Sequence, residues 1–329
     1  MRCVWFLAMV LLAPISVAWA QPEPRHAGIA RITVAGAVPF NVLVWYPTDD
    51  DDAVWKTDPF IIQAKRDAVV AAGRFPIVLL SHGGGVSGGS PMVLGDISAA
   101  LARNGFIVIA PFHGNHAPAL RLRPPQIVQA LAAVLADKRF EAQADPARLG
   151  MLGFSLGGAV TLSLAGAIPE AGHFTAYCDA HWEDVASCAN APNGGGDVIE
   201  GAIRAAITAD VTKPITLRGI ALLDPFAAIF DKAGLAAVTM PVLVMRPEDS
   251  ALGAAGNALA LKADLPRPPI YQTIPGNHFI FTDVCTPDLR AIEPDICPDP
   301  PGVNRSAVHA YIAPRIVQFF TNALGTPAR

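Results

Sequence analysis

Six short apolar runs, Pro76 to Leu80, Phe106 to Ala110, Leu149 to Phe154, Gly219 to Leu223, Pro241 to Met245 and Ile270 to Ile274, recur along the chain with longer segments between them. Apart from the last they contain no polar side chain, which is the pattern of strands covered on both faces. The segments Pro91 to Arg103, Pro125 to Ala136, Leu156 to Ala167 and Gly253 to Ala263, and a final one from Arg305 to Leu324, carry apolar residues at helical spacing. Strands separated by helices need crossover connections, and crossovers make neighbouring strands parallel. The pattern therefore predicts one α/β domain, a mostly parallel sheet with helices on both faces. Ahead of it, Ile32-Thr33-Val34 and Phe40 to Trp45 flank Ala35-Gly36-Ala37 and predict an N-terminal antiparallel hairpin. The acidic run Asp49 to Asp52 then reads as a solvated loop.

The 329 residues are 52% hydrophobic, enough for a large core and incompatible with general disorder. With a net charge of −4 and only 16% charged residues, no basic face is available for a nucleic-acid partner. Arg2, the apolar run Val4 to Ala13 and Ala18-Trp19-Ala20 have the order of a secretory signal peptide spanning residues 1–20. Residues 21–329 are then expected to be secreted or periplasmic, without a stable membrane anchor, because the apolar run is shorter than a spanning helix needs.

Export leaves Cys178, Cys188, Cys285 and Cys297, an even set in an oxidising compartment. Three connectivities are open, and closeness in sequence favours Cys178–Cys188 and Cys285–Cys297. Asp179, His181 and Glu183 offer a rival metal-binding reading, but no C-x-x-C or H-x-x-x-H spacing supports it, so no metal is expected. The stretch 168–216 holds the first pair and the glycine-rich Pro192 to Asp197, breaks the strand-helix rhythm, and reads as a disulfide-stapled insertion that is either a lid or wall of a site or mere decoration.

The chemistry-bearing pattern is Gly153-Phe154-Ser155-Leu156-Gly157, placed where a strand gives way to a helix. G-x-S-x-G in that context is a nucleophile elbow: glycines permit a turn sharp enough to lift the serine hydroxyl above the sheet edge. Ser81-His82-Gly83-Gly84-Gly85 follows an earlier strand, where a second backbone donor for an oxyanion is needed. The amides of Gly84 and Leu156 are the expected pair, with His82 in a structural hydrogen-bonding role. In the order serine, acid, histidine, the base must follow the last strand, which selects His278 in Pro275-Gly276-Asn277-His278-Phe279. His113 and His116 are candidates for the site's lining, and His26, His173, His181 and His309 read as surface or loop residues. For the acid, Asp249 after the strand Pro241 to Met245 is preferred, with Asp224 in Leu222-Leu223-Asp224-Pro225 as the alternative. Phe154, Phe112, Phe226 and Phe279 are expected to frame the substrate.

With these motifs, the chain resembles the α/β-hydrolase superfamily, and within it the bacterial dienelactone-hydrolase-like group related to platelet-activating-factor acetylhydrolases and cutinase-type polyesterases. The resemblance rests on Val44-Trp45-Tyr46-Pro47, Ser81-His82-Gly83, Asn104-Gly105-Phe106, Asp145-Pro146-Ala147-Arg148-Leu149-Gly150 and Gly276-Asn277-His278-Phe279. Glu248-Asp249-Ser250 is similar to the acid loop of the cutinase-type enzymes, and Leu223-Asp224-Pro225 to that of the acetylhydrolases. Ser155 stands where true dienelactone hydrolases use cysteine, and Phe112 where many relatives carry aspartate. The resemblance implies a serine hydrolase for small-molecule or polymeric esters, working without metal or organic cofactor, and the four bulky phenylalanines together with the stapled stretch 168–216 limit the expected pocket depth to short to medium acyl chains. Amide hydrolysis or acyl transfer on the same residues, and a catalytically silent binding protein of the same fold, are the alternatives.

Overall fold

The computed structural model describes residues 25–36, 38–84, 89–113, 119–188 and 215–325. The signal-peptide reading of residues 1–20, Gly85, His116 and Pro192 to Asp197 lie outside them. The strands in chain order are β1 (His26–Val34), β2 (Phe40–Thr48), β3 (Trp55–Thr57), β4 (Phe60–Ile62), β5 (Lys65–Arg66), β6 (Phe75–Ser81), β7 (Ile107–Pro111), β8 (Ala144–Phe154), β9 (Ile220–Leu223), β10 (Val242–Asp249) and β11 (Ile270–Asn277). Among the described residues, nine of them form one sheet in the order β11-β10-β9-β8-β6-β7-β2-β1-β5, and β3 and β4 make a separate ribbon. Neighbours from β7 to β11 are parallel, whereas β2 runs antiparallel to both β1 and β7. The hairpin is longer than its apolar centre suggests, pairing His26 with Thr48 at its open end.

Alternation along each strand divides the interior between two helix layers. Ile77 and Leu79 of β6 join Ile127, Leu131 and Val160, on helices α2 (Ala119–Ala136) and α3 (Leu156–Leu164). Val78 and Leu80 join Ile97 and Leu101 of α1 (Gly95–Arg103) and Ile312 and Phe320 of the C-terminal helix Arg305–Leu324. Each such fully buried side chain contributes about 1.5–3 kcal/mol relative to an exposed one.

The chain leaves β6 for β7 on one side and then crosses to β8 on the other. At such a switch the connections diverge and open a crevice beyond the carboxyl ends of the strands. Ser81 pairs with Gly153 in register, so the loop from His82 to Gly84 and the turn at Ser155 emerge side by side. Strand β9 ends at Leu223, opposite Phe154, which brings Asp224 to the same level.

Candidate active site

Ser155 caps the turn between β8 and α3 with φ 53° and ψ −121°. A non-glycine residue in this region carries strain of about 1–3 kcal/mol, and the surroundings hold it there. Its amide donates to the Leu223 carbonyl at 3.0 Å, and its carbonyl accepts from the Gly158 and Phe226 amides at 2.8 and 2.9 Å. A side chain at Gly153 would collide with the Gly157 carbonyl and Thr161 Oγ1, and one at Gly157 with the Ser81 carbonyl. Both elbow glycines are thus required by close backbone approach.

His278 lies 3.0 Å from Ser155 Oγ through Nε2 and 2.6 Å from Asp224 Oδ2 through Nδ1. Asp224 is 1% exposed. A neutral imidazole that donates from Nδ1 to the carboxylate leaves its Nε2 lone pair facing the serine hydroxyl. The Ser250 hydroxyl sits 2.7–2.8 Å from both Asp224 oxygens and accepts from the Leu252 amide at 3.0 Å, which fixes its direction. Beneath His278 lies Phe154, with ring centroids 5.0 Å apart.

The preference for Asp249 as the acid is corrected by this geometry. Strand β10 does not stop at Met245 but runs on through Arg246 and Pro247, so Asp249 is a strand residue paired with Asn277 and exposed to solvent. Strand β9 stops earlier, and the positive φ of 38° at Asp224 turns its carboxylate in toward His278. The Glu248-Asp249-Ser250 loop does reach the site, through Ser250. A hydroxyl that supports a distant carboxylate leaves no mark in the sequence.

Gly84 and Leu156 are adjacent: a Cβ on Gly84 would lie 2.6 Å from Leu156 Cδ2. His82 Nδ1 contacts the Gly83 carbonyl at 2.9 Å, and its Nε2 accepts from the His113 amide at 3.3 Å. His113 bridges Ser81 Oγ at 3.1 Å and Gln126 Oε1 at 2.8 Å, so it braces the loop from below. Burial, with help from His82 and Arg123, holds the His113 pKa well below its ordinary value, so its imidazole is neutral at physiological pH.

The four phenylalanines expected to frame the substrate differ in their surroundings. Phe154 is 1% exposed, packed between His278 and Phe281 in the core. The Phe112 ring lies 5.5 Å from the Arg31 guanidinium of β1, which turns it across the sheet toward the hairpin. Phe226 and Phe279 are partly exposed beside the relay: the Phe226 amide bonds the Ser155 carbonyl, and the Phe279 ring meets His278 edge-on at 5.1 Å.

Both expected disulfides are present, Cys178–Cys188 and Cys285–Cys297. By closing short loops each contributes on the order of 3 kcal/mol. The first staples α4 (Ala171–Ala180) to the following turn, and Phe174 of α4 packs edge-on against Phe226 at 6.0 Å. Asn257 clamps this region: it accepts from the Ala227 and Ala228 amides at 2.7 and 3.2 Å and donates to Ser187 Oγ at 2.9 Å. That use of Asn257 explains why the helix expected from Gly253 begins only at Ala258.

The second disulfide braces the segment after His278, where Asp283 accepts from the Gly95 and Asp96 amides at 2.9 and 3.0 Å and so caps α1. His309 of the C-terminal helix donates to the Ile280 carbonyl at 2.9 Å and faces Asp96 at 3.4 Å. Burial and the Asp96 carboxylate push the Asp283 pKa up to about 7. Burial alone would lower the His309 pKa, but the two carboxylates outweigh it and raise it. Both groups bind a proton more tightly in the folded protein than in the unfolded chain, so their contribution to stability is present at low pH and is lost as pH rises. For Asp283 the window runs from its ordinary 3.8 to about 7. Melting temperature should fall across that window as Asp283 titrates, and Asp283→Asn should flatten the fall; an unchanged slope in the variant would show that the titration lies elsewhere.

No family model and no curated protein sequence matches the chain. Among solved structures, a ferulic acid esterase from Streptomyces cinnamoneus superposes with a TM-score of 0.58 at 17% identity, over 94% of this chain and 92% of that one. The fold is that of the α/β-hydrolases. In all, 704 solved chains share the likeness, a breadth at which the fold by itself selects no substrate. Among the described residues no helix is long and apolar enough to cross a membrane.

Proposed function

We propose that the protein is a serine carboxylic-ester hydrolase working through an acyl-enzyme. The observation that carries this reading is the contact of His278 with the strained Ser155 on one side and the buried Asp224 on the other. In this reading His278 takes the Ser155 proton as Oγ adds to the ester carbonyl, then gives it to the departing alcohol. Water repeats the sequence on the acyl-enzyme and releases the acid. Asp224 keeps the proton on Nδ1 and stabilises the imidazolium, and the Gly84 and Leu156 amides receive the oxyanion, each worth about 3–4 kcal/mol in the transition state. The esterase named among the structural neighbours agrees with an ester substrate, and an aromatic acyl group belongs in any substrate panel for that reason. Export to the periplasm or beyond is part of the proposal, supported by the signal-like residues 1–20 and the two disulfides.

Phe226 and Phe279 offer apolar cover close to the nucleophile, while the stapled α4 segment stands against Phe226. Each covered methylene contributes about 0.8 kcal/mol, so kcat/KM should rise from acetate to medium acyl chains and then stop. A nitrophenyl ester series from acetate to palmitate, with a feruloyl ester alongside, tests both parts. Absence of turnover on every ester would overturn the hydrolase reading, and a steady rise through palmitate would replace the short-chain preference with an open lipid-binding groove.

A further inference from the structure

Arg123 is the charged group whose surroundings the relay leaves unexplained. It lies on α2, is 5% exposed, and has no ion-pair partner among the described residues. Burial lowers its pKa to about 10, so it remains a cation at neutral pH. Removing a cation from water without a counter-charge is costly, and the partners it does have must justify its place. Those partners are two carbonyls of one loop: Nη1 donates to His82 O at 2.8 Å and to Gly83 O at 3.0 Å.

The Gly83 carbonyl and the Gly84 amide belong to one peptide unit. The only cis peptide among the described residues is Asp58–Pro59, so this unit is trans, and its C=O and N–H point in opposite directions. Holding the carbonyl on Arg123 turns the Gly84 N–H away from α2, and Gly84 itself packs against Leu156. His82 Nδ1 gives the same carbonyl a second donor at 2.9 Å. Two donors on the oxygen, one of them charged, draw electron density through the amide and strengthen its N–H as a donor. We propose that Arg123 is a positioning residue for ester hydrolysis: it aims and polarises the Gly84 amide at the oxyanion without touching substrate. This rests on the hydrolase reading above.

The role predicts a loss in the transition state and not in ground-state binding. Arg123→Met, which keeps much of the side chain's bulk, should lower kcat on a nitrophenyl ester about 10- to 100-fold with KM within about two-fold, because a misaimed donor costs less than the 10²–10³-fold of a deleted one. Inactivation by a serine-directed phosphonate, whose transition state develops negative charge on the phosphoryl oxygen, should slow in parallel, and Arg123→Lys should recover part of both rates. Wild-type protein treated with the phosphonate separates the two readings: with no label on Ser155 the hydrolase reading fails and takes this proposal with it. If the wild type is labelled on Ser155 and folded Arg123→Met keeps its kcat, or loses affinity and rate together without rescue by lysine, the proposal alone is overturned. Should the Met variant not fold, Arg123→Gln retains one amide donor for the same carbonyls and should show an intermediate kcat; failure of both to fold would assign Arg123 to the core and also end the proposal.

Discussion

Ser155→Ala should abolish ester turnover, lowering kcat by about 10⁶-fold as expected when the nucleophile of an interdependent triad is removed, while the protein stays folded. The hydroxyl makes one contact of consequence, to His278 at 3.0 Å, and its loss leaves the elbow's backbone hydrogen bonds in place. Circular dichroism and melting temperature check the fold, and intact-mass analysis after phosphonate treatment checks the chemistry. A single adduct in the wild type and none in the variant is the expected pair of results. An adduct on any residue other than Ser155 would remove the basis of the proposed function.

The second large effect separates the two aspartates. Asp224→Asn should lower kcat by about 10⁴-fold, because the carboxamide can donate its own N–H to Nδ1, leaving His278 protonated on Nε2 and unable to take the serine proton. Asp249→Asn should stay within about two-fold of wild type, since the side chain is exposed at the end of β10. Burial makes Asp224→Asn a stability risk too, so melting temperature must accompany the kinetics. A loss of rate confined to Asp249→Asn would return the acid to the β10 loop and show that the contact between His278 and Asp224 is not the working one.

The difference between these aspartates also marks what a linear chain reveals. The alternating apolar runs, the hairpin and the final helix at Arg305–Leu324 were legible because burial on both faces leaves a local signature. The meeting of Ser155 and His278 was legible because a sharp turn and a loop after a strand need particular neighbours in sequence. Which aspartate faces His278 was not, because the choice depended on where β10 ends, and its last residues, Arg246 to Asp249, are polar and contain a proline yet still pair with β11. The burial of Phe154 was not legible for a related reason: which side of the pleat it occupies is decided by the packing of His278 and Phe281 upon it. Arg123 and Ser250 act on residues 40 and 26 positions away, and no local pattern announces either.

Ser155 and Asp224 leave adjacent interior strands tied together by the bonds from the Ser155 amide to Leu223 and from the Phe226 amide to Ser155, whereas His278 arrives from β11, an outer strand of the sheet. An outer strand has a single neighbour and opens at lower free energy than the strands it covers. The working assembly is therefore only as durable as its rim. On heating, catalytic half-life should shorten while the bulk of the sheet is still intact, and substitutions that tie β11 and its stapled extension to the body should prolong service life more than any further packing of the core.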